Sequence, residues 1–193
     1  MTHSVPVVPP LSHREAEARA LRIVRDFQAE LLDTPTPFPA EEFFEFYLPQ
    51  HYGLKTGVAH LPSGIEGVTT PSGEILLGAR VYDSLFAGDS RARFTAIHEA
   101  IHGILHLPVT REMACQLEEG LEPRLFRRRE LPAYLDPEWQ ANRVTGAVLM
   151  PAATMRILVK KAGKNPSAVA SVFQVSYSAA EVRLGQLGKL GWL

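Results

Sequence analysis

Five residues constrain this chain more than any other stretch: His98-Glu99-Ala100-Ile101-His102, flanked by Phe94, Ile97, Ile104 and Leu105. Two histidines four apart converge only on a helix, where residues i and i+4 point the same way about one turn apart. From such a helix two imidazoles reach one tetrahedral zinc at about 2.0–2.1 Å, while the apolar neighbours bury the opposite side. Glu99, turned roughly 100° from His98, stays off the metal yet beside it. A carboxylate placed there can take a proton from a metal-activated water and return it to a leaving amine, which is the chemistry of peptide-bond hydrolysis. The competing reading of the same residues is a pair of core histidines satisfied by hydrogen bonds.

An open zinc site needs a third ligand. His106 cannot supply it from an unbroken helix, because eight residues beyond His98 it lies about 12 Å further along the axis. Gly103 and His106 also miss the metzincin spacing, in which a glycine turns the chain and the third histidine falls ten positions after the first. His106 is therefore expected beside the ligands as a supporting residue. The other solution is a carboxylate from a later helix. Among Glu112, Glu118, Glu119, Glu122, Glu130 and Glu138, the last stands out. Asp136-Pro137 reads as an N-cap followed by proline at the first helical position, which puts Glu138 at the head of a helix with Asn142 one turn on. Glu138 could then bind the metal while Asn142 steadies a ligating histidine. This Glu-x-x-x-Asn arrangement is the gluzincin pattern with Asn where Asp is commoner.

Around the zinc helix, which the pattern extends from Arg91 to His106, the chain reads as an α+β fold. Residues 1–11 are rich in Pro and Val without period and are expected to form a mobile N-terminal tail or a surface strap. Ser12 looks like an N-cap for a helix to about Leu32, with Ala16, Ala20, Ile23, Val24, Phe27 and Leu31 on one face. Thr34-Pro35-Thr36-Pro37 ends it, and a short aromatic helix is expected from Pro39 to Tyr47. Between Lys55 and Ala79, short apolar segments broken by Pro62-Ser63-Gly64 and Pro71-Ser72-Gly73 predict a small antiparallel sheet of about three strands. Residues 108–136 show no clear period and are expected to be irregular. The C-terminal half is otherwise helical: Asp136 to about Met150, Pro151 to near Gly163, Ser167–Phe173 and Ser178–Leu187. The expected organisation is residues 12–163 as the catalytic domain and 164–193 as a helical tail packed on it or appended to it.

Composition narrows the function classes. Hydrophobic residues make up 46% and charged residues 21%, enough for one sizeable core. A formal net charge of −1 supplies no field for holding a polyanion. The single cysteine, Cys115, cannot form an internal disulfide, the opening residues lack the pattern of a secretory signal, and no apolar run approaches the roughly 20 residues of a membrane span. A cytoplasmic protein without membrane contact is expected. Residues 168–180 could form a helix-turn-helix, but the second helix offers only Arg183, with Lys189 beyond its end and Glu181 opposing them, so packing is expected rather than direct nucleic-acid binding.

Three stretches carry a family resemblance: Arg93-Phe94-Thr95 leading through the zinc motif to His106, then Glu138-Trp139-Gln140-Ala141-Asn142-Arg143, then Val148-Leu149-Met150-Pro151. Together they resemble the ImmA/IrrE family of zinc metallopeptidases, and Phe173-Gln174-Val175-Ser176 and Arg183-Leu184-Gly185-Gln186-Leu187-Gly188 are similar to its tail. The resemblance spans roughly residues 12–190. It implies His98, His102 and Glu138 as zinc ligands, Glu99 as general base, and a protein substrate: a partner repressor of the Xre helix-turn-helix type, cleaved to release stress or mobile-element genes. Ala100-Ile101 stands where the family often has Leu-Gly, and Val144-Thr145-Gly146 where it often has Phe-Ala-Ala; neither change removes a chemical group. The interval between His102 and Glu138 is long for the family, and Arg124, Arg127, Arg128 and Arg129 within it suit either a substrate-facing lid or a solvated basic loop. Tyr82, Tyr134, His60 and Arg93 are conceivable oxyanion stabilisers that sequence does not rank. The reading from a different class is a non-catalytic regulatory protein that binds a repressor or DNA and keeps a structural metal site.

Overall fold

A computed structural model of the chain describes residues 4–193. Residues 4–11 are tied down as a strap, and residues 1–3 of the expected tail lie outside the described part. Strand β1 (Ser4–Val5) pairs antiparallel with Phe126–Arg127. Beyond it Val8 and Leu11 are buried, and their amides donate to the carbonyls of Leu135 and Tyr134.

Helix α1 (His13–Phe27) starts at a full capping box: Ser12 Oγ accepts from the Glu15 amide, and the Glu15 carboxylate accepts from the Ser12 amide. Its apolar face, Ala16, Ala20, Ile23 and Val24, is buried. The α-helix stops short of the expected Leu32 because Gln28 is extended; a 3-10 turn, Ala29–Leu32, completes the segment. Helix α2 (Ala40–Glu42) widens into a π-helix, Phe43–Tyr52, that runs through Pro49 and past the expected end at Tyr47. A wider turn relieves the clash between a proline ring and the carbonyl four residues back that would stop an α-helix. The left-handed Gly53 closes it, and the rings of Phe27, Phe38, Phe43 and Tyr47 meet edge-on or stacked beneath.

Three strands then form the sheet: β2 (Lys55–Ala59), β3 (Gly67–Thr69) and β4 (Glu74–Gly78), in the order β2-β4-β3. All three lie between Lys55 and Ala79 as expected, but the sheet is mixed. β3 and β4 are an antiparallel pair joined through Gly73 at φ 89°, whereas β2 runs parallel to β4. Ile75 and Leu77 of β4 are buried, and β3 is left as an edge.

Helix α3 (Ala79–Phe86), which the pattern did not mark, follows β4 directly. Helix α4 (Ser90–Leu105) carries His98, Glu99 and His102: Asp89 Oδ1 caps it by accepting from the amides of Arg91 and Ala92. The expected irregular stretch is in part helix α5 (Leu107–Glu118), with Pro108 in its first turn. Only Leu107 of α5 is buried, so the helix carries no apolar stripe for a period to reveal. The basic segment that follows contributes β5 (Phe126–Arg127) and two 3-10 turns.

Helix α6 (Pro137–Leu149) packs between α1 and α4 and is almost wholly buried from Gln140 onward, Asn142 excepted. Helices α7 (Ala152–Ala162), α8 (Pro166–Phe173) and α9 (Tyr177–Lys189) finish the chain. The last of these is bound to the first: Arg183 and Arg143 both donate to the carboxylate of Glu17 on α1, and Arg183 Nε donates to the carbonyl of Met150 at the end of α6. Arg183, the basic residue a DNA-reading helix would need to present, is 1% exposed. Among the described residues no helix is long and apolar enough to cross a membrane.

Candidate metal centre

Ala92, Ala96, Ile97, Ala100 and Ile101 bury one side of α4, which turns His98 and His102 together toward α6. Asp136 fixes the start of α6 opposite them. Its Oδ1 accepts from the Glu138 amide at 3.0 Å, and its Oδ2 accepts from Arg128 Nε at 2.7 Å. Arg128 of the basic segment therefore holds the cap of the helix that carries Glu138.

The result is a three-residue cluster. His98 Nε2 and His102 Nε2 are 3.1 Å apart, and each lies 3.2–3.3 Å from a carboxylate oxygen of Glu138. The two imidazoles pull the Glu138 carboxyl far below the usual carboxylate range, His102 more strongly than His98. Donors about 2.0–2.1 Å from one tetrahedral ion sit about 3.3 Å from each other, so two neutral imidazoles and one carboxylate at these separations fit a zinc ion. They leave a fourth position open.

Glu99 stands next to this cluster and outside it. The Thr69 hydroxyl lies 2.9 Å from Glu99 Oε2 and 2.8 Å from the Glu99 carbonyl, so β3 steadies Glu99 through one proton shared between two acceptors. Gly67 of the same strand passes so close that a Cβ there would sit 2.7 Å from Glu99 Cγ. Two open cavities, about 330 Å³ and about 270 Å³, share Gly67 and Glu99; the first reaches Phe94 and His98, the second His102 and Glu138.

His106 does not join the ligand atoms. Its Nδ1 is 3.0 Å from His102 Nδ1 and its Nε2 is 3.1 Å from Gln140 Oε1. Burial, reinforced by the neighbouring His102, pushes its pKa down to about 4. Asn142 departs from its expected place: it is exposed, and its amide donates to the Glu138 carbonyl on its own helix rather than to a histidine. The supporting contact comes from Gln140 through His106, and nothing in the sequence pattern marks Gln140, whose other partners are backbone carbonyls. Thr69 was equally hidden, although its strand was legible.

The conceivable oxyanion stabilisers lie elsewhere. Arg93 is buried against the Phe38 carbonyl and Glu41, Tyr82 packs on Phe86, and none of Tyr82, Tyr134 and His60 lines the two cavities. Among the described residues none between 119 and 135 lines those cavities either, so the basic segment does not cover the cluster. Cys115 is exposed on α5.

Two imidazoles and a carboxylate that could hold a metal ion, with a further carboxylate beside them, match the donor chemistry of a metallohydrolase site. The family model described as the IrrE N-terminal-like domain, a peptidase family, matches residues 87–185, just over half of the chain. The chain belongs to this family of metallopeptidases. The match takes in α4, α6 and most of α9. No curated protein matches the chain.

Proposed function

We propose that the protein is a zinc-dependent endopeptidase of narrow specificity, acting in the cytoplasm on a partner repressor of the Xre helix-turn-helix type. The observation that carries the zinc reading is the mutual spacing of the three donors, 3.1–3.3 Å, in a peptidase family member. His98, His102 and Glu138 would hold the ion. When bound, zinc supplies the Lewis acidity that acidifies a water and polarises a scissile carbonyl.

The remaining steps belong to this chain's side chains. Glu99, steadied by Thr69, accepts the proton from the attacking water and delivers it to the amine that leaves, so the peptide bond gains one water and the enzyme returns to its starting state. The Gly67 backbone lets a substrate approach that carboxylate from both cavities. Repressor cleavage is the substrate that the family resemblance favours.

The test is incubation of the zinc-loaded full chain with an Xre-type repressor encoded beside it, read by mass spectrometry of the fragments. Wild type is expected to cut at one bond, and Glu99→Gln to keep its zinc and leave the repressor whole. Intact repressor with zinc-loaded wild type would overturn the substrate, and cleavage by Glu99→Gln would overturn the mechanism.

A further inference from the structure

Gln140 is 3% exposed, and its amide makes three hydrogen bonds. Its Nε2 lies 2.8 Å from two carbonyl oxygens, Pro9 in the N-terminal strap and Tyr134 in the turn before α6. Carbonyls only accept, so the amide nitrogen is the end that faces them and Oε1 is the end that faces His106. Oε1 also only accepts, which puts a proton on His106 Nε2, 3.1 Å away. A neutral imidazole has one N–H, so His106 Nδ1 is bare and accepts from His102 Nδ1 at 3.0 Å. The remaining nitrogen of His102, Nε2, is the one that faces His98 and Glu138.

We propose that Gln140 is a positioning residue for the metal centre: locked by the strap and the Tyr134 turn, it sets the proton on His106 and thereby the proton on His102 Nδ1, leaving His102 Nε2 free to ligate. Residues far apart in the chain are joined by this relay, since Pro9 and Gln140 are 131 positions apart. His98 has no such device; its Nδ1 is buried without a partner among the described residues.

The experiment is a long-range proton–nitrogen correlation spectrum of the metal-free full chain labelled with ¹⁵N-histidine, at neutral pH. The expected result is a proton on His102 Nδ1 and on His106 Nε2, with His106 Nδ1 bare. A proton on His106 Nδ1, or a bare His102 Nδ1, overturns the proposal. Gln140→Met keeps the side-chain length without the amide. It should scramble the pattern on His106 and His102 and weaken zinc binding in chelator competition by about 10- to 100-fold. Unchanged spectra and affinity in the folded variant overturn the proposal, and if the variant does not fold the wild-type spectrum decides alone. The affinity arm rests on the zinc reading above, whereas the spectrum needs no metal, so failure of the relay and failure of zinc binding are distinguishable.

Discussion

Removing Glu17 should unfold this protein at a markedly lower temperature. Its carboxylate is 6% exposed and is shared by two arginines, Arg143 at 2% and Arg183 at 1%. Burial already draws the Arg143 guanidinium below its ordinary value, with Glu17 opposing the shift, and Arg143 Nε and Nη1 have no partner among the described residues. In Glu17→Ala both guanidinium groups stay buried without a carboxylate, a loss of about 3–5 kcal/mol for breaking a buried pair from one side. Unfolding entropy of about 2.1 cal/mol/K per residue gives roughly 0.4 kcal/mol/K for 193 residues, so Tm should fall by about 7–12 °C in calorimetric or circular-dichroism melts of the metal-free chain. Replacing all three residues with Glu17→Leu, Arg143→Leu and Arg183→Met should recover most of that loss, because apolar packing of similar volume is often as stable as a buried ion cluster. A fall of less than about 3 °C in Glu17→Ala would refute the reasoning and mean that water reaches the arginines.

Gly67→Ala places a Cβ 2.7 Å from Glu99 Cγ, so the carboxylate must move off Thr69. Repressor cleavage should fall by about 100-fold while zinc content stays at the wild-type level, as a base misplaced by about 1 Å predicts; wild-type turnover would show that the position of Glu99 is not held there. His106 titrates near 6.5 when unfolded and about 4 when folded. The unfolded chain therefore binds more protons across that window, and stability is full above it and lost as pH falls through it. Denaturant midpoints of the metal-free chain should reveal about 2 kcal/mol less stability at about pH 5 than at about pH 7, with His106→Leu flattening that slope. An equally steep slope in the variant would place the effect elsewhere. Thr145 carries a buried hydroxyl without a partner among the described residues. Thr145→Val should raise stability by about 1 kcal/mol in the same assay, and a loss would mean that the hydroxyl is satisfied by water.

The helix bearing the zinc motif, the Ser12 cap and the Asp136-Pro137 start of α6 were legible because each depends on neighbours in sequence: a period, a capping side chain, a proline at the first turn. Glu138 was legible for the same reason, being the acid at the head of that helix, and the family resemblance pointed to it independently. What stayed hidden depends on distant partners. Gln140 acts through the carbonyls of Pro9 and Tyr134, which leave no mark on residue type. Thr69 acts through Glu99, thirty positions away. Asn142 was expected to face a histidine, but its short amide reaches the carbonyl one turn back instead. The parallel pairing of β2 with β4 has no local signature, since hairpin signals predict only the antiparallel neighbour. Helix α5 lies on the surface with one buried residue, so its periodicity is faint.

On the proposed function, His98, His102 and Glu138 hold one zinc ion. Elemental mass spectrometry on the metal-replete full chain and on Glu138→Ala tests it most directly. One zinc per wild-type chain, weakened or lost in the variant, is the expected result. A zinc-free wild type, or a variant that binds as tightly as wild type, would contradict it and leave the two histidines as core residues.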